Sequence, residues 1–212
     1  MDPGWLSNAY LLADEPGGAA VFVDSGAPME PLIEAAERLD VKPAHVLRTH
    51  ADPDHVAHEA ELGVEVVTGP LEVGGLKIEA LETPGHSDDH LAFVVGDLCF
   101  SGDILFRDAV GGGRDVPAIQ RSVMDVLMNL PPETRVLPGH TDETTIGREW
   151  EENPFVSYWR GLEPPGDEPC RVAGEEATII VWSPDYDGKG KALVRFSGGR
   201  EAIVGGSRIT RS

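Results

Sequence analysis

Four short apolar runs in this chain end on a histidine or an aspartate, at the point where each would turn from strand into loop. They are HVLRTH ending at His50 and continuing as ADPDH, ALETPGH ending at His86, CFSGD ending at Asp103, and RVLPGH ending at His140. Side chains delivered from strand ends sit on the rigid part of a scaffold, which is how a metal site obtains fixed geometry. The Pro-Gly before both His86 and His140 suits that role, because a tight turn there aims the imidazole back over a sheet edge. Taken singly, a PGH histidine is more often a structural hydrogen-bonding residue, and FSGD is an ordinary turn. The compact HADPDH is the strongest piece, and the four together, in this order, point to a metal site.

The elements around these runs alternate in type. AAVFVDSG reads as a buried strand closing at Gly26, and MEPLIEAAERLD then spaces Leu32, Ile33, Ala36 and Leu39 as a helix. Further strands are expected at AHVLRTH, VEVVTG, LKIEALE, HLAFVVGDLCF with a hairpin turn at Gly96-Asp97, and RVLPGH. Helices are expected over HVAHEAEL, from about Pro117 to Asn129, and from near Asp142. Hairpins mixed with crossover helices predict an α/β fold of sheets covered by helices rather than a pure parallel sheet.

At GLEPPGDEPC the composition shifts to a proline- and glycine-rich connection. Beyond it ATIIVW, KALVRF and EAIVGG read as strands, a tail too small for its own core that should dock as a hairpin or meander. The expected division is a body over residues 1-162 and a β-rich extension over 163-212. DYDGKG in this tail reads as a turn, because Phe196 stands where a calcium loop beginning at Asp185 needs glutamate.

The motifs HADPDH, TPGHSDDH, FSGDILF and LPGH resemble those of the metallo-β-lactamase-fold hydrolases, specifically the short glyoxalase II-like branch. The resemblance runs from about Leu11 to Trp159, and TDETTIGREWEENPF is similar to the segment that closes this branch. It implies a four-layer αβ/βα sandwich with metals at one rim. By position, His50 and His86 would hold a first divalent ion together with residue 52. Asp54, His55 and His140 would hold a second, Asp103 would bridge, and Asp54 and Asp103 would be the catalytic carboxylates. The implied reaction is hydrolysis of a thioester or related acyl compound. A hydroxide shared by two cations is a nucleophile at neutral pH, and a thiolate of pKa near about 8.5 leaves without a strong acid.

Asp52 departs from the family pattern, which places a second histidine there. If Asp52 does not ligate, His50, His86 and Asp103 form a two-histidine, one-carboxylate set of the kind used by non-haem iron oxygenases. If it does, the site trades a nitrogen for a hard oxygen donor and leans from zinc toward iron or manganese. One or two ions are therefore expected, of zinc, iron or manganese. The alternatives to a hydrolase are a mononuclear iron oxygenase resembling the persulfide dioxygenases, and a non-catalytic metal-binding module.

Charge narrows the partners. With 17 Lys+Arg against 37 Asp+Glu the formal charge is −20, which disfavours nucleic acid and anionic lipid and leaves a small-molecule substrate. No apolar run approaches the roughly 20 residues of a membrane span, so a cytoplasmic location is expected. Cys99 and Cys170 form no metal or redox pattern and are read as free thiols. Three further features stay open. His90 can orient a ligand or simply begin a strand, and His58 suits a helix face. The loop DAVGGGRD can bring backbone to a ligand or move as a lid, with Arg107 and Arg114 flanking it. The resemblance carries no glutathione-holding residues onto the tail, which has Trp182 and Tyr186 instead, and oligomeric state is not readable.

Overall fold

A computed structural model describes residue 4 and residues 6–211. Its first sheet has the order β1-β2-β3-β4, from β1 (Tyr10–Ala13), β2 (Ala19–Val23), β3 (Lys42–Leu47) and β4 (Glu65–Val67). β2, β3 and β4 run parallel and β1 antiparallel. The second sheet is six-stranded, with β5 (Leu71–Val73), β6 (Leu76–Glu82), β7 (Leu91–Val95) and β8 (Leu98–Gly102). After a small ribbon of β9 (Leu105–Phe106) and β10 (Ala109–Val110), it is completed by β11 (Arg135–Pro138) and β12 (Thr144–Thr145).

The two sheets face each other through Val21, Val23 and Leu47 on one side and Ile78, Phe93 and Phe100 on the other. β2 has no polar residue because its opposite face is also covered. Phe22 packs with Met29 and Val46, and Ala20 with Ala36 of helix α1 (Glu30–Arg38). On the outer face of the second sheet, Ala92, Cys99 and Val136 meet α4 (Val116–Arg121), α5 (Ile146–Glu152) and α6 (Pro154–Trp159) through Ile119, Ile146 and Phe155. The short helices α2 (Pro53–Val56) and α3 (Glu59–Leu62) follow β3. Helix, sheet, sheet, helix is the four-layer αβ/βα sandwich.

Two local expectations need correction. The helix expected near Asp142 starts at Ile146, because Thr144 pairs with Val136 at the sheet edge and Thr145 caps the helix by accepting from the Arg148 amide. The tail is also larger than a docked meander. It forms a five-stranded antiparallel sheet, from β13 (Glu168–Val172), β14 (Glu175–Ser183), β15 (Lys191–Phe196), β16 (Glu201–Gly205) and β17 (Ile209–Arg211), in the order β16-β15-β14-β13-β17. One face joins the main core through Ile180, Leu193 and Ile203. The other has an apolar cluster of its own, including Val172, Ile179, Val194, Phe196 and Val204. DYDGKG is a turn, with Asp185 paired to buried Lys191 at 3.3 Å. Both cysteines are free and buried. No helix among the described residues is long and apolar enough to cross a membrane.

Strand direction then decides where the motif residues go. β6 and β8 are each antiparallel to β7, and β11 is parallel to β8, so β6, β8 and β11 end on one edge. β2 and β3, parallel in the facing sheet, bring their C-terminal ends together as well. The Leu91 amide donates to Thr49 O at 2.8 Å and ties the two edges at this rim.

Candidate metal centre

The loops at this rim gather His50, Asp52, Asp54, His55, His86, Asp103 and His140. Two sets of donor atoms converge, His50 with His86 and Asp103, and Asp54 with His55 and His140. His140 Nε2 lies 3.3 Å from Asp103 Oδ2 and 3.4 Å from Asp54 Oδ2. His55 Nε2 lies 3.3 Å from Asp103 Oδ1, and His86 Nε2 lies 3.8 Å from Asp103 Oδ2. Asp103 therefore stands between the two sets, in the position of a bridge. Asp52 is drawn in as well, with Oδ2 3.2 Å from His86 Nε2 and 3.8 Å from His50 Nε2.

The donor set fits divalent metal ions on two independent grounds. Ligands about 2.1 Å from a tetrahedral ion are about 3.4 Å from one another, which is the spacing found here. In addition, His50 Nε2, His55 Nε2 and Asp103 Oδ1 are buried without a hydrogen-bond partner among the described residues. Leaving such groups unpaired costs about 1–3 kcal/mol each unless something else satisfies them.

Each of the four rings has its other nitrogen held by an acceptor. His50 Nδ1 donates to Thr49 Oγ1 at 3.0 Å, His55 Nδ1 to Asp24 Oδ2 at 2.8 Å, His86 Nδ1 to Gly112 O at 2.8 Å and His140 Nδ1 to Leu6 O at 2.9 Å. With Nδ1 protonated in every case, all four rings present Nε2 to the centre. Asp24 controls two of them. It also accepts from the Thr49 amide and the Thr49 hydroxyl, both at 2.8 Å, so that hydroxyl is left to accept from His50. Asp24 is buried and occupies the left-handed backbone region at φ 53°, a conformation an ordinary residue keeps only where its surroundings enforce it.

Charge in the metal-free centre follows from this wiring. Burial opposes protonation of His55, but Asp103 and Asp24 outweigh it and raise its pKa to about 11. Burial likewise opposes protonation of His140, and Asp103 and Asp54 lift it to about 9. Burial would raise Asp103, yet the His140 and His55 imidazoles beside it, both favoured in their charged form, hold it well below the usual carboxylate range.

His90 is buried against the centre rather than sitting at a strand surface. Its Nε2 accepts from the Asp103 amide at 2.9 Å while Nδ1 faces Thr83 Oγ1 at 2.8 Å, so it fixes the backbone that carries Asp103. His58 faces outward and pairs with Glu61. Two glycines allow the loops to close on one another. A Cβ at Gly26 would lie 1.4 Å from Asp54 O, and one at Gly139 would lie 2.3 Å from Asp103 Oδ1. The glycine loop is anchored rather than free, because Gly113 and Ile203 of β16 exchange backbone hydrogen bonds of 2.9 and 3.0 Å. Of its flanking arginines, Arg107 lies 3.9 Å from Asp142.

Sequence reasoning passed over Asp24, which in VFVDSG resembles any strand-ending turn residue. It noted Tyr186 in the tail without placing it at the centre, where its ring stacks on His140 with centroids 4.1 Å apart and planes 9° apart. The Asp185–Lys191 pair anchors the turn presenting Tyr186, with Lys191 Nζ 4.7 Å from the Phe106 ring centroid. The signal available was an aromatic residue within a turn otherwise built of Asp, Gly and Lys.

A two-sheet sandwich with imidazoles and carboxylates gathered at one rim defines a class of metal-binding proteins, and the comparisons agree. The model of the metallo-beta-lactamase superfamily matches residues 60–140. An uncharacterized protein of Aquifex aeolicus is 30% identical over 196 residues, covering 70% of this chain and 91% of its own. A hydroxyacylglutathione hydrolase of Haemophilus influenzae is 26% identical over 197 residues, covering 71% and 92%. Among solved structures, TTHA1623 in a di-iron-bound form is 34% identical with a TM-score of 0.57, covering 73% of this chain and 98% of its own. The chain belongs to the metallo-beta-lactamase superfamily.

Proposed function

We propose that this chain is a metal-dependent hydrolase acting on a thioester or a related acyl compound, in the manner of the glyoxalase II-like branch. The observation that carries the reading is the common orientation of His50, His55, His86 and His140, each with Nδ1 at an oxygen and Nε2 directed at one cluster that also holds Asp54 and Asp103. The likeness to a hydroxyacylglutathione hydrolase supports the same chemistry. His50 and His86, with Asp52 beside them, would hold one ion; Asp54, His55 and His140 would hold the other, with Asp103 shared. Bound divalent ions supply an activated water at neutral pH and polarise the substrate carbonyl.

The chain's own residues do the rest. Asp54 keeps its side chain 27% exposed, against 10% for Asp103, so it is the carboxylate that can meet an attacking water from the cleft and orient it by accepting its hydrogen bond. Asp103 is held below the carboxylate range and remains an anion between the two histidine sets. As water adds to the acyl carbon and the C–S bond breaks, the sulfur departs as thiolate and needs no dedicated acid. Tyr186 covers one face of His140 and shields it from bulk water.

The test is turnover by protein loaded separately with zinc, iron and manganese, against a panel of thioesters, lactones and phosphodiesters. Thioester cleavage that disappears on chelation and in His140→Ala is expected, and the reading fails if every metal form leaves the panel untouched. One observation favours a second reading. Asp52 makes the first site richer in oxygen donors, as suits iron, and a structural relative is known in a di-iron-bound form. An iron-dependent oxygenase acting on a thiol persulfide would consume oxygen with that substrate, and purified protein carrying zinc without iron counts against it.

A further inference from the structure

A cleft of about 840 Å³ opens beside the metal centre and runs along the C-terminal sheet. His86 and Gly112 form the near wall, while Val172, Phe196 and Val204 from the sheet's own apolar cluster form its floor. Three arginines border it, in a chain of formal charge −20. Arg200 is already neutralised, with Nη2 2.9 Å from Glu175 and its guanidinium 3.8 Å from the Phe196 ring centroid. Arg114, from the glycine loop, and Arg208, from the single turn at Gly206–Arg208, have no hydrogen bond or ion pair with any described residue. Several arginines elsewhere are matched to carboxylates, as in Arg48–Glu59, Arg148–Asp108 and Arg195–Glu201, so what sets Arg114 and Arg208 apart is their shared place on this cleft.

We propose that this cleft is the substrate groove and that it selects an elongated thioester with an anionic group, a carboxylate or a phosphate, remote from the reacting carbonyl. The proposal rests on the thioester-hydrolase reading above and names the substrate class of that site. The carbonyl end lies at His86, an apolar arm lies on the floor of Val172, Phe196 and Val204, and Arg114 and Arg208 supply the counter-charge. The volume is within the usual range for small-molecule sites, about 300–1,000 Å³. A protein of this charge repels anions over most of its surface, so an anionic substrate needs a local cationic cleft that focuses the field. Guanidinium is suited to both candidate anions, because its planar fork matches carboxylate and phosphate oxygens in pairs. The groove is lined by residues of both body and extension, which the Gly113–Ile203 backbone pairing joins beside it.

The test compares the wild type, the double variant Arg114→Gln/Arg208→Gln, and Arg38→Gln, which alters charge away from the groove. Each metal-loaded protein is given three thioesters with the same acyl group: one on an uncharged thiol, one on a thiol ending in a carboxylate, one on a thiol ending in a phosphate. The corresponding thioethers, which cannot be hydrolysed, are titrated by calorimetry. In the double variant the kcat/KM ratio of anionic to neutral thioester should fall by about tenfold, as loss of two partly exposed charge contacts implies. The Kd of the anionic thioether should rise by a similar factor, and Arg38→Gln should alter neither. The anion showing the larger arginine dependence is the one recognised. Unchanged selectivity and unchanged thioether affinity in the double variant overturn the groove, as does a wild type that binds no anionic thioether. Hydrolysis of all three thioesters without arginine dependence would leave the hydrolase reading standing and remove the groove. Arginine-dependent thioether binding without thioester turnover would do the reverse.

Discussion

Asp24→Asn replaces one oxygen by an amide nitrogen and leaves the shape intact, yet it should disable both halves of the metal centre. Asp24 accepts from the Thr49 amide through Oδ1, and from the Thr49 hydroxyl and His55 Nδ1 through Oδ2. An asparagine must keep its oxygen toward the Thr49 amide, since the opposite flip sets two donors against each other. Its NH2 group then donates to His55 Nδ1, which becomes an acceptor and moves the ring proton to Nε2. It also donates to Thr49 Oγ1, which turns to donate to His50 Nδ1 and moves that proton to Nε2 as well. Both nitrogens aimed at metal are thereby blocked, one in each donor set. Changing a group that orients a ligand typically lowers metal affinity about 10- to 100-fold, or roughly 1.4–2.8 kcal/mol, and this substitution should weaken both ions. Competition against a chromophoric chelator measures the affinities, and nitrogen NMR of the imidazoles reports the tautomers. A folded Asp24→Asn variant with wild-type affinity at both sites would refute the reasoning, because it would show that the tautomers are not set by Asp24.

Four other outcomes are expected. Asp52→His should raise zinc affinity at the site of His50 and His86 by supplying a nitrogen donor, whereas Asp52→Ala should lower it; equal affinities for all three forms would show that residue 52 does not ligate. Gly26→Ala should destabilise the protein by about 2–3 kcal/mol and reduce metal loading, since the new methyl displaces the Asp54 backbone; thermal unfolding and elemental analysis together check it. Tyr186→Ala should expose one face of His140 and cost about 0.5–1.5 kcal/mol of local packing, seen as faster exchange of the His140 ring protons with solvent; unchanged exchange would mean the stack is not kept in solution. Metal uptake near pH 7 should release about two protons per chain, because metal requires neutral imidazole. In the metal-free state His140 and His55, raised from 6.5 to about 9 and about 11, are both charged at that pH. Their contribution to metal-free stability is complete below about pH 6.5 and is lost as pH rises through 9 and then 11. Calorimetry in buffers of different ionisation enthalpy measures the protons, and release independent of pH between 7 and 10 would contradict the assignment.

Much of the centre was legible because metal-capable residue types are few and their placement at strand ends is a local property. HADPDH, TPGH, FSGD and LPGH each carry their meaning within a handful of residues, and the apolar runs before them declare the strands. The helix at Ile146 was misplaced for a different reason. The pairing of Thr144 with Val136 is a contact between separate elements, and nothing within TDETT announces it. The tail was undervalued likewise, since EPC reads as part of the linker until β13 pairs with β14 and β17.

By itself, then, the sequence determined an αβ/βα sandwich, the candidate residues for holding metal ions, and the oddity of Asp52. The tertiary structure decided how those residues are used. Asp24 and His55 are 31 positions apart and meet only because β2 and β3 run parallel and end together. Tyr186 reaches His140, and Arg208 shares a cleft with Arg114, only because the C-terminal sheet folds back over the body. The physical reason is the range of the interactions. A side chain's chemistry and a strand's periodicity are written in neighbouring residues, whereas a tautomer, a stacked ring or an unpaired arginine beside a metal centre depends on partners that only packing brings within a few ångströms.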